Sequence, residues 1–441
     1  MNTIDTWVAR HRERAATLPG AALPWLTGRR HDAIDSFAAA GWPTSRLEAW
    51  RHTSLAFLDQ QPLIAPEDAP HPATTLAALR ADFDDGGHWL VFVDGHFEPT
   101  LSVRPPLPAG VTISALSEAL VRRPEAVEAA FGSAAGDDTA VVSSPYALNL
   151  ALCSDGAFVH LAPGTALEQP LHLVFIGATG AADSHVRNLI LAEANAEANI
   201  VEHHLGGGST LGTVVTRVQA AQDARISHIK LQQQDEQSIH LASIEAEQAR
   251  GSHFATHSLS FGARLARNDI RTRFDGEGCE TLFNGLYHVD GRRHVDHHTL
   301  IDHARPHGTS REHYRGLVDG NARGVFAGRI IVAQDAQRTD AVQRCDNLLL
   351  SKMAEADARP ELEIYADDVK CAHGATVGQI DDNALFYLRT RGVDETHARQ
   401  LLTYAFAAEV IERIAQDALR RHARATLLAR LPGGALLEEL L

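Results

Sequence analysis

Paired cysteines are missing from this chain. Its four cysteines (Cys153, Cys279, Cys345 and Cys371) are scattered through 441 residues and form no CxxC motif. That excludes zinc-finger spacing and fits free thiols in a reducing compartment better than a disulfide framework. Aromatic residues are also scarce, at 6%, which argues against a surface built to stack nucleotide bases. Cations are outnumbered: 40 Lys and Arg stand against 56 Asp and Glu, a net charge of −16. Nucleic acid and anionic membrane are therefore poor candidates for a main partner. The opening MNTIDTWVARHRERAA carries no apolar h-region, so no signal peptide and a cytoplasmic location are expected. The apolar run LHLVFIG is too short to cross a bilayer.

Phosphate-binding glycine motifs are missing too. GATVGQID lacks the Gly-Lys-Ser/Thr end of a phosphate loop, and AFGSAAG does not fit GxGxxG after a strand. Any ATP in this protein's work must be used by another subunit. The acids, among them Asp269, Asp275, Glu277 and Asp296, show no pair that stands out as a glycosidase couple. They read as an acidic outer wall. With few aromatic platforms, a stand-alone sugar-cleaving enzyme is the weaker reading.

What is present is a long strand-rich centre between helical ends. Apolar residues make up 44% of the chain, enough for a large core. Residues 1–80 read as helical, with breakers at Pro19-Gly20 and Gly41-Trp42-Pro43. In GWPTSRLEAWRHTSL, Ser45 and Glu48 have capping-box spacing, predicting a helix there. HWLVFVDGHF predicts a hairpin turning at Asp94-Gly95. A helical SALSEALVRRPEAVEAAF follows.

From about 141 to 370 helical periodicity disappears. Short strand-like runs alternate with turns of one shape: EANAEANI, AAQDARIS, AEQARGSHF and DGEGCETLF. The first strand residues after these turns are Ile200, Ile226, Phe254 and Leu282, at 26, 28 and 28 positions from one to the next. A long repeat of strand-turn units predicts a solenoid, with a β-sandwich as the alternative. Ile229 and Leu231 alternate with His228 and Lys230, as suits a coil with one wall inside.

After Gly378 the chain turns helical. Asp382 is placed to cap ALFYLRTR and Gly392 to end it. Asp394 then caps one long amphipathic helix, with Leu401, Leu402, Ala405, Phe406, Val410, Ile411 and Ile414 in its stripe and Pro432 at its end.

Two groups of residues could carry chemistry. In ADDVKCAHGATVGQIDD, Cys371 and His373 stand two apart at a strand end, before a glycine-punctuated turn (Gly374, Gly378). Such spacing points a thiol and an imidazole to one side, a pair suited to iron, a nascent cluster or another soft metal. Two ligands are fewer than a site needs. The second group is YHVDGRRHVDHHTLIDHARPHGTSREHY, with His288, His294, His297, His298, His303, His307 and His313. His294 and His298 would share a strand face, with Asp296 or Asp302 as oxygen ligands. No spacing matches a known site, so these read as polar ladders on the outer wall. Cys153, Cys279 and Cys345 read as buried core thiols.

Three blocks carry a family resemblance: GWPTSRLEAW, RGLVDGNARGVFAGRIIVAQDAQRTDAVQRCDNLLLS, and VKCAHGATVGQIDDNALFYLRTRGV with the helix after it. They resemble the SufB/SufD family of iron–sulfur cluster assembly proteins, and the first block points to the SufD branch. The resemblance implies a mainly β chain with a central right-handed parallel β-helix flanked by helical domains. Its parts would be an N-terminal domain at 1–140, the β-helix at 141–376 and a C-terminal helical domain at 377–441. It also implies a non-catalytic scaffold subunit with two partners. SufB would pair through strands near 361–373, and Cys371 and His373 would face a transient iron–sulfur cluster at that interface. No cofactor would be held tightly by the chain alone. The ATPase SufC would dock on LLTYAFAAE, that is on Leu401, Leu402, Tyr404, Ala405, Phe406 and Glu409. Without SufB, the chain would pair with itself. A purely architectural subunit is the competing reading.

Overall fold

The computed structural model describes residues 3–60, 71–83, 85–131, 144–178, 183–207 and 211–431. Most of AFGSAAG, the 140/141 boundary and Pro432 lie outside them. The centre is a parallel β-solenoid of about seven turns, each turn giving one strand to each of two facing sheets. One sheet has ten strands and ends in Lys370–Gly378; the other has nine and ends in Glu355–Ile364. The predicted hairpin forms, with Phe92 opposite Phe97 and positive φ at Asp94 (51°) and Gly95 (80°). Its first strand, His88–Val93, extends the ten-stranded sheet, and Val111–Ala115 extends the other. Both sheets therefore recruit strands from before residue 141.

The shared turn shape has a backbone cause. Asn195, Asp223, Gly251, Gly278, His307 and Arg338 all sit in the left-handed region, φ 58–68°. Each sends its N–H to a carbonyl one coil further on, as from Asn195 to Gln222 (2.9 Å) and from Asp223 to Arg250 (2.9 Å). These corners step by 28, 28, 27, 29 and 31 residues, from 195 to 338. The stacked column is Ala198, Ile226, Phe254 and Thr281, which corrects Ile200 and Leu282 by two and one positions. Coil length varies between 27 and 31 residues, and the first apolar residue after a turn is not always the stacked one, so counting from apolar residues slips the register.

In the central coils both faces of the strands are largely buried, and polarity does not separate them. Ile229 and Leu231 face outward, packed beneath the C-terminal helices with Leu259, Leu286, Tyr404, Ala407 and Val410. His228 and Lys230 face the lumen. There Glu202 accepts from His204 (3.0 Å) and lies 3.2 Å from His228, and Lys230 donates to Asn268. The other half of the lumen is apolar, filled by Ile226, Phe254, Ile270, Phe283 and Ile330.

N-terminal helices cover the nine-stranded sheet. Trp7, Phe37, Trp42 and Trp50 pack on Leu211, Ile239, Leu241 and Leu265. The expected capping-box helix is absent from that segment. Residues after Thr44 form a turn, then a short 3-10 helix, Glu48–Trp50. Tertiary contacts override the local pattern: Trp50 lies over the Arg267 guanidinium (3.8 Å), and Thr53 donates to Asp296 (2.5 Å). Glu48, the expected box partner, reaches Arg359 on Glu355–Ile364, the end strand of the nine-stranded sheet, instead (3.3 Å).

At the C-terminus three expectations change. Asp381 rather than Asp382 caps the helix Asp382–Thr390, accepting from Asn383 N (2.9 Å). Gly374 lies inside a strand, not a turn, paired with Arg344. The single long helix is two, Glu395–Ile411 and Asp417–Leu428. The bend keeps apolar residues on the sheet: Ile414 is fully buried, and Gln416 bonds Asn199 across the wall (2.6 Å). Asp394 caps Glu395–Ile411 as expected, accepting from His397 N (3.2 Å).

Candidate functional site at the open end of the solenoid

Among the described residues the last strand, Lys370–Gly378, pairs on one side only, with Asp340–Leu349. Its register fixes which way each residue points. Cys371 lies beside Ala341, the last of a buried column running back through Ser310 and Thr281 to Phe254. His373 lies beside Gln343, itself beside Glu312. Both columns line the lumen, so Cys371 and His373 lie on its inner wall at the uncapped end. Cys371 is partly buried against the core and His373 is exposed. Burial raises the Cys371 thiol pKa, with the Asp340 carboxylate adding to it. The thiol is therefore protonated at neutral pH until a metal displaces the proton. Among the described residues no three of His, Cys, Asp and Glu stand close enough to hold a metal. Cys371 and His373 are thus a partial donor set at an edge, suited to completion from outside.

The edge itself is open. Tyr365 is 63% exposed, Met353 67% and Val377 47%. Unpaired parallel strands with apolar residues beside them are a template for strand pairing.

The histidine-rich segment is not an outer ladder throughout. His297 and His303 face the lumen and are fully buried. Within the stretch 294–298 the outward residues are His294, Asp296 and His298, with His298 3.1 Å from Asp296. Thr53 meets His294 at 2.8 Å, so this face seats the N-terminal segment. Asp296 is engaged by Arg267 and Thr53 through Oδ2, with His298 beside its Oδ1. Cys153, Cys279 and Cys345 are buried.

On helix Glu395–Ile411 the expected docking residues divide by face. Tyr404 is buried against the sheet, whereas Leu401, Leu402 and Phe406 are half-buried and Ala405 and Glu409 are exposed. Arg315 grips this helix from the ten-stranded sheet. It donates to the Phe406 carbonyl (2.6 Å), pairs with Glu409, and covers the Phe406 ring at 4.6 Å. Phe386 (69% exposed) and Tyr387 (57%) stand on the helix before it. Sequence reading missed Arg315, Gln343 and Glu312. The last two become visible by stepping back from His373 by one coil, 30 residues, and then 31.

Fold and site together define a class: a parallel β-solenoid with helical covers, an open end and a cysteine–histidine pair at that end. Comparison with known proteins narrows the class. Residues 175–406 match the profile of the SUF system FeS cluster assembly SufBD core domain, and residues 1–173 match the SufBD protein N-terminal region. Escherichia coli iron–sulfur cluster assembly protein SufD is 32% identical over 91% of this chain and 92% of its own. A SufBD-family iron–sulfur cluster assembly protein of Synechocystis is 31% identical, covering 94% and 93%. The chloroplastic protein ABCI7 of Arabidopsis thaliana is 28% identical, covering 92% and 86%. This chain belongs to the SufBD family of iron–sulfur cluster assembly proteins. Among its described residues no helix is long and apolar enough to cross a membrane.

Proposed function

We propose that this chain is the SufD-type subunit of an iron–sulfur cluster assembly scaffold, working in the cytoplasm without catalytic turnover of its own. Its open end pairs with SufB, and Cys371 and His373 give this chain's share of the donors to a transient cluster at that seam. The cluster is cargo rather than a resident cofactor. The observation that carries the reading is the register: the thiol and the imidazole sit inward on the last strand of an uncapped solenoid. SufC docks on Glu395–Ile411, touching Leu401, Leu402, Ala405, Phe406 and Glu409, with Tyr404 bracing the helix from beneath. SufB receives the sulfur, and ATP used by SufC reshapes the SufB seam. Without SufB the free edge pairs with a second copy.

The test is co-purification with SufB and SufC under anaerobic conditions, wild type against Cys371→Ser with His373→Ala. An intact complex that has lost most of its iron and sulfide is expected. An intact complex with normal content would reduce the chain to architecture. A wild-type chain that joins neither partner would sink the reading.

A further inference from the structure

Behind His373 lies a pair of buried polar side chains that the site has not used. His373, Gln343 and Glu312 occupy one lumen-facing column on three consecutive strands. Adjacent strands lie about 4.8 Å apart, so the Gln343 side chain is the next group inward from the imidazole. Gln343 is 1% exposed and Glu312 fully buried. The Gln343 amide is not free to turn. Its Nε2 donates to Glu312 Oε2 at 2.6 Å. On its far side it lies against Gly328 of the opposite sheet, where an added Cβ would come within 2.3 Å of Nε2. With nitrogen held by Glu312, the carbonyl Oε1 is left as a buried acceptor with no donor. A buried acceptor without a donor is costly, and His373 is the next residue outward in the same column.

We propose that Gln343 is a positioning residue for His373: its carbonyl takes one imidazole N–H and leaves the other nitrogen's lone pair for the incoming metal. Glu312 acts one step further back by holding the amide the right way round. Metal-binding histidines ordinarily depend on such a bond at the second nitrogen, which fixes tautomer and ring plane. The donor pair is then Cys371 with a pre-oriented His373, backed by a buried polar wall. The inference rests on the reading that His373 faces the cluster, but its central contact can be tested without a cluster.

The experiment uses the full chain labelled with 15N-histidine, alone and joined to SufB and SufC, with His373→Ala identifying the resonance. In the wild-type complex the His373 nitrogens should report a single tautomer. Gln343→Met, close in size but without an acceptor, should give mixed tautomers and lower iron retention by about tenfold or more. If Gln343→Met leaves the tautomer unchanged, the proposal is overturned. Should that variant fail to fold, the wild-type spectrum decides alone, since two comparably populated tautomers would overturn it. A fixed tautomer lost in Gln343→Met, with normal iron and sulfide in His373→Ala, upholds the contact and sinks the cluster reading instead.

Discussion

Glu312 shows what a single lumen residue contributes to behaviour with pH. Burial pushes its carboxyl up to about 7, and the Thr299 and Gln343 side chains beside it offset only part of that. An unfolded glutamate titrates near 4.3. Between those values the native state holds a proton that the unfolded chain has lost, so stability falls as pH rises from about 4 to about 7 and is level above. The loss is of order 3 kcal/mol. Glu312→Gln keeps the shape and removes the titration. Its melting temperature should exceed wild type at pH 8 and match it at pH 5, measured by calorimetry. An equal change at both pH values would show that the carboxyl is not held protonated. At this scale the sequence was legible where alternation alone sufficed, as for Cys371 and His373. It was silent on Glu312 and Gln343, because polar side chains are expected outside and here the lumen holds them.

Single elements follow local chemistry where the chain must turn and packing where it need not. Asp94-Gly95 turns as its residues dictate, and the left-handed corners at 195, 223, 251 and 278 fall in the four turns read from the sequence. The helix expected after Ser45 and the unbroken final helix fail for one reason: each would have drawn Trp50 or Ile414 off the sheet it covers. One strand feature is visible in the sequence only once its register is known. In NGLYHV and EHYRGLV a glycine and a tyrosine exchange places, and the two strands are neighbours. A Cβ at Gly285 would lie 2.1 Å from the Tyr314 ring, and one at Gly316 would lie 2.3 Å from the Tyr287 ring. Each glycine makes room for the tyrosine of the neighbouring coil, which is why glycine interrupts a strand here. Gly285→Ala should destabilise by about 1–3 kcal/mol through overpacking, read as a lower denaturation midpoint. Gly374→Ala meets nothing within 4 Å and should leave the midpoint unchanged. Equal effects would refute the packing account.

Across the whole molecule, the polar lumen and the two covered walls turn many imidazoles into buried neutral groups. Burial pushes His204, His257, His288 and His303 down to about 4 and His297 to about 3. In the unfolded chain they titrate near 6.5. Between about 4 and 6.5 the unfolded state therefore binds protons that the native state refuses, and stability is lost as pH falls through that window. Each histidine contributes about 1.4 kcal/mol per pH unit there. Glu312 works in the opposite sense over the same range, but as one group against five. Lys230, pushed down to about 7 by burial, adds stability above neutrality, where the native amine is neutral and the unfolded one still charged. The stability maximum should consequently lie at or above pH 7, although net charge is strongly negative there and acidification would relieve that repulsion. Solenoids store their stability in coil-to-coil contacts, so protonation inside any coil should open its neighbours too. His297→Phe tests the argument: the ring keeps its stack on Tyr287 and cannot be protonated. Its unfolding free energy should lose pH dependence equal to one proton between pH 4 and 6.5, measured by denaturant titration at several pH values. An unchanged slope would mean that His297 is already charged in the native lumen, and the neutral interior would have to be abandoned.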